Sequence, residues 1–227
     1  MTSTPLTVVL FDIDGTLVDS NYLHVEAWDR AFVEVSQPQQ VGRIHESIGL
    51  DSSKLLDRLL GDEADELGDR AKELHSENYE TLADRLRRFD GVRELLAALR
   101  ERGLRVVLAS SAPQEELDIL LKVIDADDLI DGATSSSDVE TAKPEPDVIA
   151  AALEKAGATA DEAIMIGDTR WDVESARNAG VDTIGVLTGG RGRSELIESG
   201  AVAVYADVAE ILADLDASPL GQRSQKQ

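Results

Sequence analysis

Short runs of apolar, largely β-branched residues punctuate the chain. Between them lie longer stretches in which apolar positions recur every three or four residues. Residues 7–11 (TVVLF), 105–109 (RVVLA), 163–166 (AIMI), 182–186 (DTIGV) and 201–205 (AVAVY) carry almost no polar alternation. Such runs read as strands buried on both faces. Val92, Leu95, Leu96 and Leu99 share one helical face, and Ile149, Ala152, Leu153 and Ala156 repeat the pattern before Gly157, a C-cap residue type. Strands that alternate with helices in this way predict an α/β fold, a Rossmann-like parallel sheet covered by helices on both faces. Ligand sites of such sheets lie at the carboxyl ends of the strands.

Residues 20–89 break the rhythm. They hold no strand-like run, and Ala27, Ala31, Leu55, Leu59, Leu67, Leu74 and Leu82 sit in charge-rich helical contexts. The expected organisation is a core from residues 1–19 and 90–216, with a helical cap from 20–89 inserted after the first strand. The connections near residues 17–20 and 89–91 would serve as hinges. Residues 217–227 (ASPLGQRSQKQ) are polar and are expected to be a disordered tail.

Composition narrows the chemistry. The 227 residues carry 45 Asp and Glu against 22 Lys and Arg, a formal net charge of -23. A polyanion would be repelled, so neither nucleic acid nor an anionic membrane is expected as a partner. The acidity fits a solubilising surface or a high-salt habitat. There is no cysteine, which excludes disulfides, zinc–thiolate and iron–sulfur sites, and a thiol nucleophile. The N-terminal residues lack a basic stretch followed by a long apolar one, so a cytoplasmic location is expected. An anionic substrate would need a local counter-charge, most simply a metal ion.

Four segments carry candidate chemistry. Asp12 and Asp14 follow the first strand in FDIDGT. Alternate residues of a strand share a face, so the pair is expected to aim both carboxylates at one site. Two close carboxylates bind a hard cation, or divide the roles of nucleophile and proton donor. Ser110 and Ser111 follow the second core strand and are expected to open a helix, a natural phosphate cradle. Lys143 stands in TAKPEPD ahead of a helix. Asp168, with Asp172 four residues on, follows the strand AIMI in GDTRWD.

The ordered set FDIDGT, LASS, KP and GDTRWD resembles the haloacid dehalogenase superfamily of hydrolases, with a helical cap of its C1 type. VDSNYLHVEAW and the segment 185–212 resemble its phosphoglycolate phosphatase and β-phosphoglucomutase branch. The resemblance implies that Asp12 attacks phosphorus to form an aspartyl-phosphate. Asp14 would protonate the leaving group and then activate water. Mg²⁺ would be held by the Asp12 carboxylate, the Asp14 backbone carbonyl and the Asp168 carboxylate, with Asp172 behind them. Thr16, Ser110, Ser111 and Lys143 would bind the phosphoryl group. The second Asp of the pair, absent from the dehalogenases that name the superfamily, fits phosphoryl transfer.

In the cap, His24 and Trp28 share a helical face, matching a His and a Trp of the β-phosphoglucomutase branch. Trp28 reads as a packing residue, while His24 reads equally as packing or as substrate-linked. Asn21 would bind substrate or cap the helix. The Gly-x-x-Arg turn with which β-phosphoglucomutases hold a second phosphate reads Gly49-Leu50-Asp51-Ser52 here. That departure favours a phosphatase over a mutase, with Arg43 or Lys54 as possible substitutes. A Schiff-base lysine in the cap would have to be Lys54 or Lys72, and neither context looks desolvated.

The expectation is thus a Mg²⁺-dependent phosphatase acting on a small phosphorylated metabolite, as a monomer or homodimer. The alternatives are a phosphosugar mutase and a non-catalytic phosphoryl-binding or receiver-like regulatory domain.

Overall fold

The computed structural model describes residues 4–139, 141 and 143–224. They form two compact units, one from residues 20–86 and the other from residues up to 19 together with those from 87 onward.

The larger unit is built on a six-stranded parallel sheet. In chain order its strands are β1 (Val8–Phe11), β4 (Arg105–Leu108), β5 (Gly132–Ala133), β6 (Ala163–Gly167), β7 (Asp182–Val186) and β8 (Ala203–Tyr205). Their order across the sheet is β5-β4-β1-β6-β7-β8. From β1 the chain builds outward through β4 and β5, then returns to the other side of β1 and builds through β6, β7 and β8. The order therefore reverses beside β1, and the carboxyl ends of β4, β1 and β6 are where sheets of this kind bind ligands.

Seven helices complete this unit: α5 (Val92–Glu101), α6 (Gln114–Ile124), α7 (Asp147–Ala156), α8 (Arg170–Asn178), α9 (Arg193–Ser199), α10 (Val208–Ala213) and α11 (Pro219–Ser224). Val8 and Leu10 of β1, Val107 of β4 and Met165 of β6 pack with Val148, Ile149 and Ala152 of α7. The intervening residues Val9, Phe11, Val106, Leu108, Ile164 and Ile166 are buried as well. By the period-2 rule they point to the opposite face, so both faces of the sheet are covered. Gly157 ends α7 at φ 60°, the left-handed cap expected of it.

Two departures from the sequence expectation have local causes. A short antiparallel ribbon pairs β2 (Val18–Asp19) with β3 (Arg87–Arg88), so Arg87–Phe89 belong to the sheet unit. Two-residue strands have no periodicity to read, and β5 escaped for the same reason. The polar C-terminal segment is ordered through residue 224. Leu220 is buried, the Leu6 N–H donates to the Arg223 carbonyl at 3.3 Å, and Arg223 approaches Asp182 at 3.5 Å. A few anchoring residues overcame a composition that reads as a tail. Residues 225–227 lie outside the described residues.

The smaller unit is helical: α1 (Asn21–Glu34), α2 (Val41–Ser47), α3 (Ser52–Leu60) and α4 (Ala64–Glu80). Trp28, Phe32, Ile44, Leu55, Leu59 and Leu74 are part of its own core. Asp51 caps α3, accepting from the Ser53 N–H at 2.9 Å, which accounts for the polar turn at residues 49–52. Inside this core lies a stack of rings. His24 stacks on Tyr79 with centroids 4.0 Å apart, Trp28 stacks on His75 at 4.1 Å, and His24 Nδ1 meets His75 Nε2 at 3.1 Å. Trp28 is thus a packing residue, as expected. His75 and Tyr79, which complete the stack, lie on α4 and had no marker in the sequence.

Burial, then His24, then Lys72 hold the His75 imidazole well below its ordinary value. A neutral pair can share one proton between facing nitrogens, whereas charging both rings would set two donors against each other. The unfolded chain protonates His75 near pH 6.5 while the folded one does not. The stability that His75 contributes is therefore present above that pH and lost below it. Denaturant titrations from pH 7.5 to 5 are expected to show wild type losing stability faster than His75→Phe; parallel curves would show that His75 does not couple folding to pH.

Candidate active site

Asp12 lies one residue beyond β1, yet its N–H still donates to the Ile166 carbonyl of β6 at 2.9 Å. The nucleophile candidate is thus fixed on the ladder at the point where the strand order reverses. The chain then turns sharply. The Ile13 carbonyl accepts from the N–H groups of Thr16, Leu17 and Val18 at 3.2, 2.8 and 3.0 Å. Gly15 adopts φ 77°, a conformation that costs glycine little. Asp14 stands in this turn, half-buried. The expectation that strand alternation orients the DxD pair is therefore corrected: Asp14 is off the strand, and the tight turn places it.

The turn also brings Thr16 inward. Its hydroxyl lies 3.4 Å from an Asp12 oxygen and 3.2 Å from an Asp168 oxygen. Asp168 follows β6, the neighbour of β1, and is fully buried. The carboxylates of Asp12, Asp168 and Asp172 converge, with ligand atoms within 4.8 Å of one another. Residues 152 or more positions apart in the sequence thus share one spot because their strands are neighbours.

Asp172 is held by α8. Thr169, not Asp168, is the N-cap of that helix, in a reciprocal capping box with Asp172. The Asp172 Oδ2 accepts from the Thr169 N–H at 2.9 Å and from its hydroxyl at 2.6 Å. The other oxygen is left for Lys143, whose Nζ lies 2.6 Å away. A Cβ on Gly167 would sit 2.5 Å from the Asp172 Cβ. The glycine before Asp168 therefore makes room for Asp172.

Lys143 is buried and also pairs with Asp12. Its segment is tied to α8 by two bonds: the Asn178 amide donates to the Pro144 carbonyl at 3.0 Å, and the Ser175 hydroxyl donates to the Glu145 carbonyl at 2.6 Å. On its other side, the Thr141 hydroxyl donates to Asp147 at 2.7 Å. Burial works against the charge on Lys143, but Asp12 and Asp172 outweigh it and hold the ammonium above its ordinary range. Burial pushes the Asp12 carboxyl up to about 7, against the pull of Lys143 and with the repulsion of Asp172 and Asp14.

Ser110 and Ser111 follow β4, the strand on the other side of β1. They do not open a helix, because α6 begins at Gln114 behind Pro113. Instead Ser110 shapes the loop. It accepts from the Ala112 N–H at 3.1 Å, and its carbonyl accepts from the Thr134 hydroxyl at 2.7 Å. Thr134 and Thr169 are supports that the motif reading missed, since a lone Thr beside a motif carries no distinguishing pattern.

Asn21 and His24 lie in the helical unit. Asn21 is buried in the first turn of α1, whose N-cap position is Ser20, so it is not the cap residue. Arg43, weighed as a phosphate binder, donates to the Arg58 carbonyl at 3.1 Å. Lys72 is exposed, which fits no Schiff-base role.

The acidic cluster suits a hard cation. Three buried carboxylates face one buried ammonium, all the donors are oxygens, and Asp12 resists ionising where it stands. A divalent ion bound by oxygen ligands would relieve that excess.

The chain has known relatives. The family model described as haloacid dehalogenase-like hydrolase matches residues 9–186. A phosphorylated carbohydrates phosphatase of Thermotoga maritima is 28% identical over 199 residues, covering 86% of this chain and 92% of its own length. The pyrophosphatase PpaX of Halalkalibacterium halodurans is 30% identical over 180 residues, covering 78% and 82% respectively. The crystal structure of a hydrolase from Pseudomonas syringae matches with a TM-score of 0.88 and 36% identity, covering 93% of this chain and 98% of that one. A family match that runs from β1 to the end of β7, and so spans the strand ends carrying Asp12, Ser110 and Asp168, makes the chain a member of the haloacid dehalogenase-like hydrolase family and hence a hydrolytic enzyme.

Proposed function

We propose that this hydrolase is a phosphatase that cleaves a small phosphomonoester through an aspartyl-phosphate on Asp12. The observation that carries the reading is the buried Asp12–Lys143–Asp172 array at the strand-order reversal. An Asp12 oxygen attacks phosphorus as the ester P–O bond breaks, and the Asp14 carboxyl gives its proton to the departing oxygen. Asp14 then takes a proton from a water that attacks the same phosphorus, which frees phosphate and restores the Asp12 carboxylate. Lys143 keeps Asp12 oriented and stabilises negative charge on the phosphoryl oxygens. Ser110, the Ser111 N–H and Thr16 are the proposed phosphate partners.

Asp12 and Asp168, with the Asp14 carbonyl, would hold Mg²⁺, and Asp172 would stand behind them through Lys143 and Thr169. When bound, Mg²⁺ supplies positive charge for the phosphoryl oxygens. Substrate choice falls to residues outside the core motifs, and Asn21 and His24 remain our candidates. A chain without the second-phosphate arginine favours phosphate release over mutase exchange. The enzyme is proposed to be cytoplasmic, as a monomer or homodimer. Among the described residues no helix is long and apolar enough to cross a membrane.

Asp12→Asn is expected to lower turnover of p-nitrophenyl phosphate by at least ~10³-fold, since an amide cannot form the acyl phosphate, with the thermal midpoint little changed. A variant within about tenfold of wild type, only ~1.4 kcal/mol of barrier, would remove Asp12 as nucleophile.

Protons compete with a cation for Asp12, because burial pushes its carboxyl up to about 7. Mg²⁺ is therefore expected to raise the thermal midpoint more at pH 8 than at pH 5.5, and Asp168→Asn should lose most of that increment. A shift independent of pH and unaffected by Asp168→Asn would place the metal elsewhere.

A further inference from the structure

The loop after β7 reaches the turn that carries Asp14. The Thr188 hydroxyl donates to the Gly15 carbonyl, and the two residues stand 173 positions apart. Gly15 is the residue next to Asp14 and the one at φ 77°. Its N–H donates to the Val18 carbonyl at 2.8 Å. Both ends of the Gly15 residue are therefore tethered, one locally and one from a distant strand.

The distant tether is itself anchored. The Leu187 N–H lies 3.1 and 3.2 Å from the Tyr205 and Ala206 carbonyls at the end of β8, and the Gly190 N–H donates to the Leu187 carbonyl at 3.1 Å. Thr188 is half-buried on this pinned turn. A hydroxyl so placed restricts rotation of the Gly15–Thr16 peptide, and glycine is the residue with the most freedom to lose.

We infer that Thr188 is a positioning residue for Asp14: by holding the Gly15 carbonyl it keeps the Asp14 carboxyl aligned for proton transfer to the leaving oxygen. The inference rests on the proposed acid role of Asp14. Misalignment of a proton donor matters most when the leaving group needs the proton. In the first half-reaction the ester P–O bond breaks, the Asp12–P bond forms, and the proton moves from Asp14 to the leaving oxygen. Nitrophenolate departs with little help, whereas phenolate, a stronger base, needs more.

The test is kcat/KM with p-nitrophenyl phosphate and with phenyl phosphate, a quantity that covers transfer to Asp12 and not the later hydrolysis. Full-length Thr188→Val in Mg²⁺ is expected to lose about tenfold more on phenyl phosphate than on p-nitrophenyl phosphate, and Thr188→Ser should restore both. If Thr188→Val does not fold, Thr188→Ala serves in its place. Equal losses on the two esters, no loss, or a Thr188→Ser variant as impaired as Thr188→Val would each overturn the inference. Asp14→Asn separates it from the reading beneath it. If Asp14→Asn discriminates between the esters and Thr188→Val does not, only the positioning role fails. If Asp14→Asn slows both esters equally, the acid role fails and the positioning role falls with it.

Discussion

The buried ammonium of Lys143 is the interaction on which the site depends. It touches Asp12, just past β1, and Asp172, in the first turn of α8, which would otherwise repel across a dry interior. Removing one partner of a buried charge pair leaves an uncompensated charge, which is far costlier than losing an exposed pair. The surroundings accordingly fix the lysine firmly. Thr141, Ser175 and Asn178 tie its segment to α7 and α8, and the capping box with Thr169 leaves one Asp172 oxygen for it. Local helix-capping chemistry and long-range electrostatics meet in that one carboxylate.

Backbone geometry explains why the motifs read as they do. Gly167 precedes Asp168 because a Cβ there would occupy the place of Asp172. Gly15 follows Asp14 because the turn that converges on the Ile13 carbonyl needs a positive φ. Thr16 closes that turn and sets its hydroxyl between the Asp12 and Asp168 carboxylates. Gly167, Thr16 and Thr169 therefore answer demands made by carboxylates, and Gly15 answers one made by the backbone turn.

The sheet was legible because its strands are buried on both faces and nearly continuous in apolar character. The run 182–186 coincides with β7, and four others needed only end corrections. The candidate residues were legible because strand ends beside an order reversal are where a parallel sheet exposes chemistry. What escaped has physical causes. Two-residue strands carry no period. Asp14 owes its place to a turn whose hydrogen bonds involve carbonyls rather than side-chain patterns. His75 and Tyr79 complete a stack with His24 from a helix about fifty positions away, and nothing near them announces it. The helix 219–224 depends on a few anchors that average composition dilutes.

The charge of the molecule bears on binding at two scales. The net charge of -23 is spread over a surface where ion pairs such as Arg70–Glu73 are exposed, and salt screens such charges beyond about 8 Å. The field at the site is therefore set mainly by the groups within it. Those groups are also rich in negative charge: the carboxylates of Asp12, Asp168 and Asp172 converge, Lys143 pairs with two of them, and burial leaves them poorly screened. A phosphate ester would thus meet repulsion chiefly from these near groups rather than from the screened surface. Lys143 already spends its charge on the ion pairs with Asp12 and Asp172. A hard cation, which oxygen donors converging in this way could hold, would supply further counter-charge. The same excess of buried carboxylate that burial makes costly to ionise at Asp12 is what would favour such a cation.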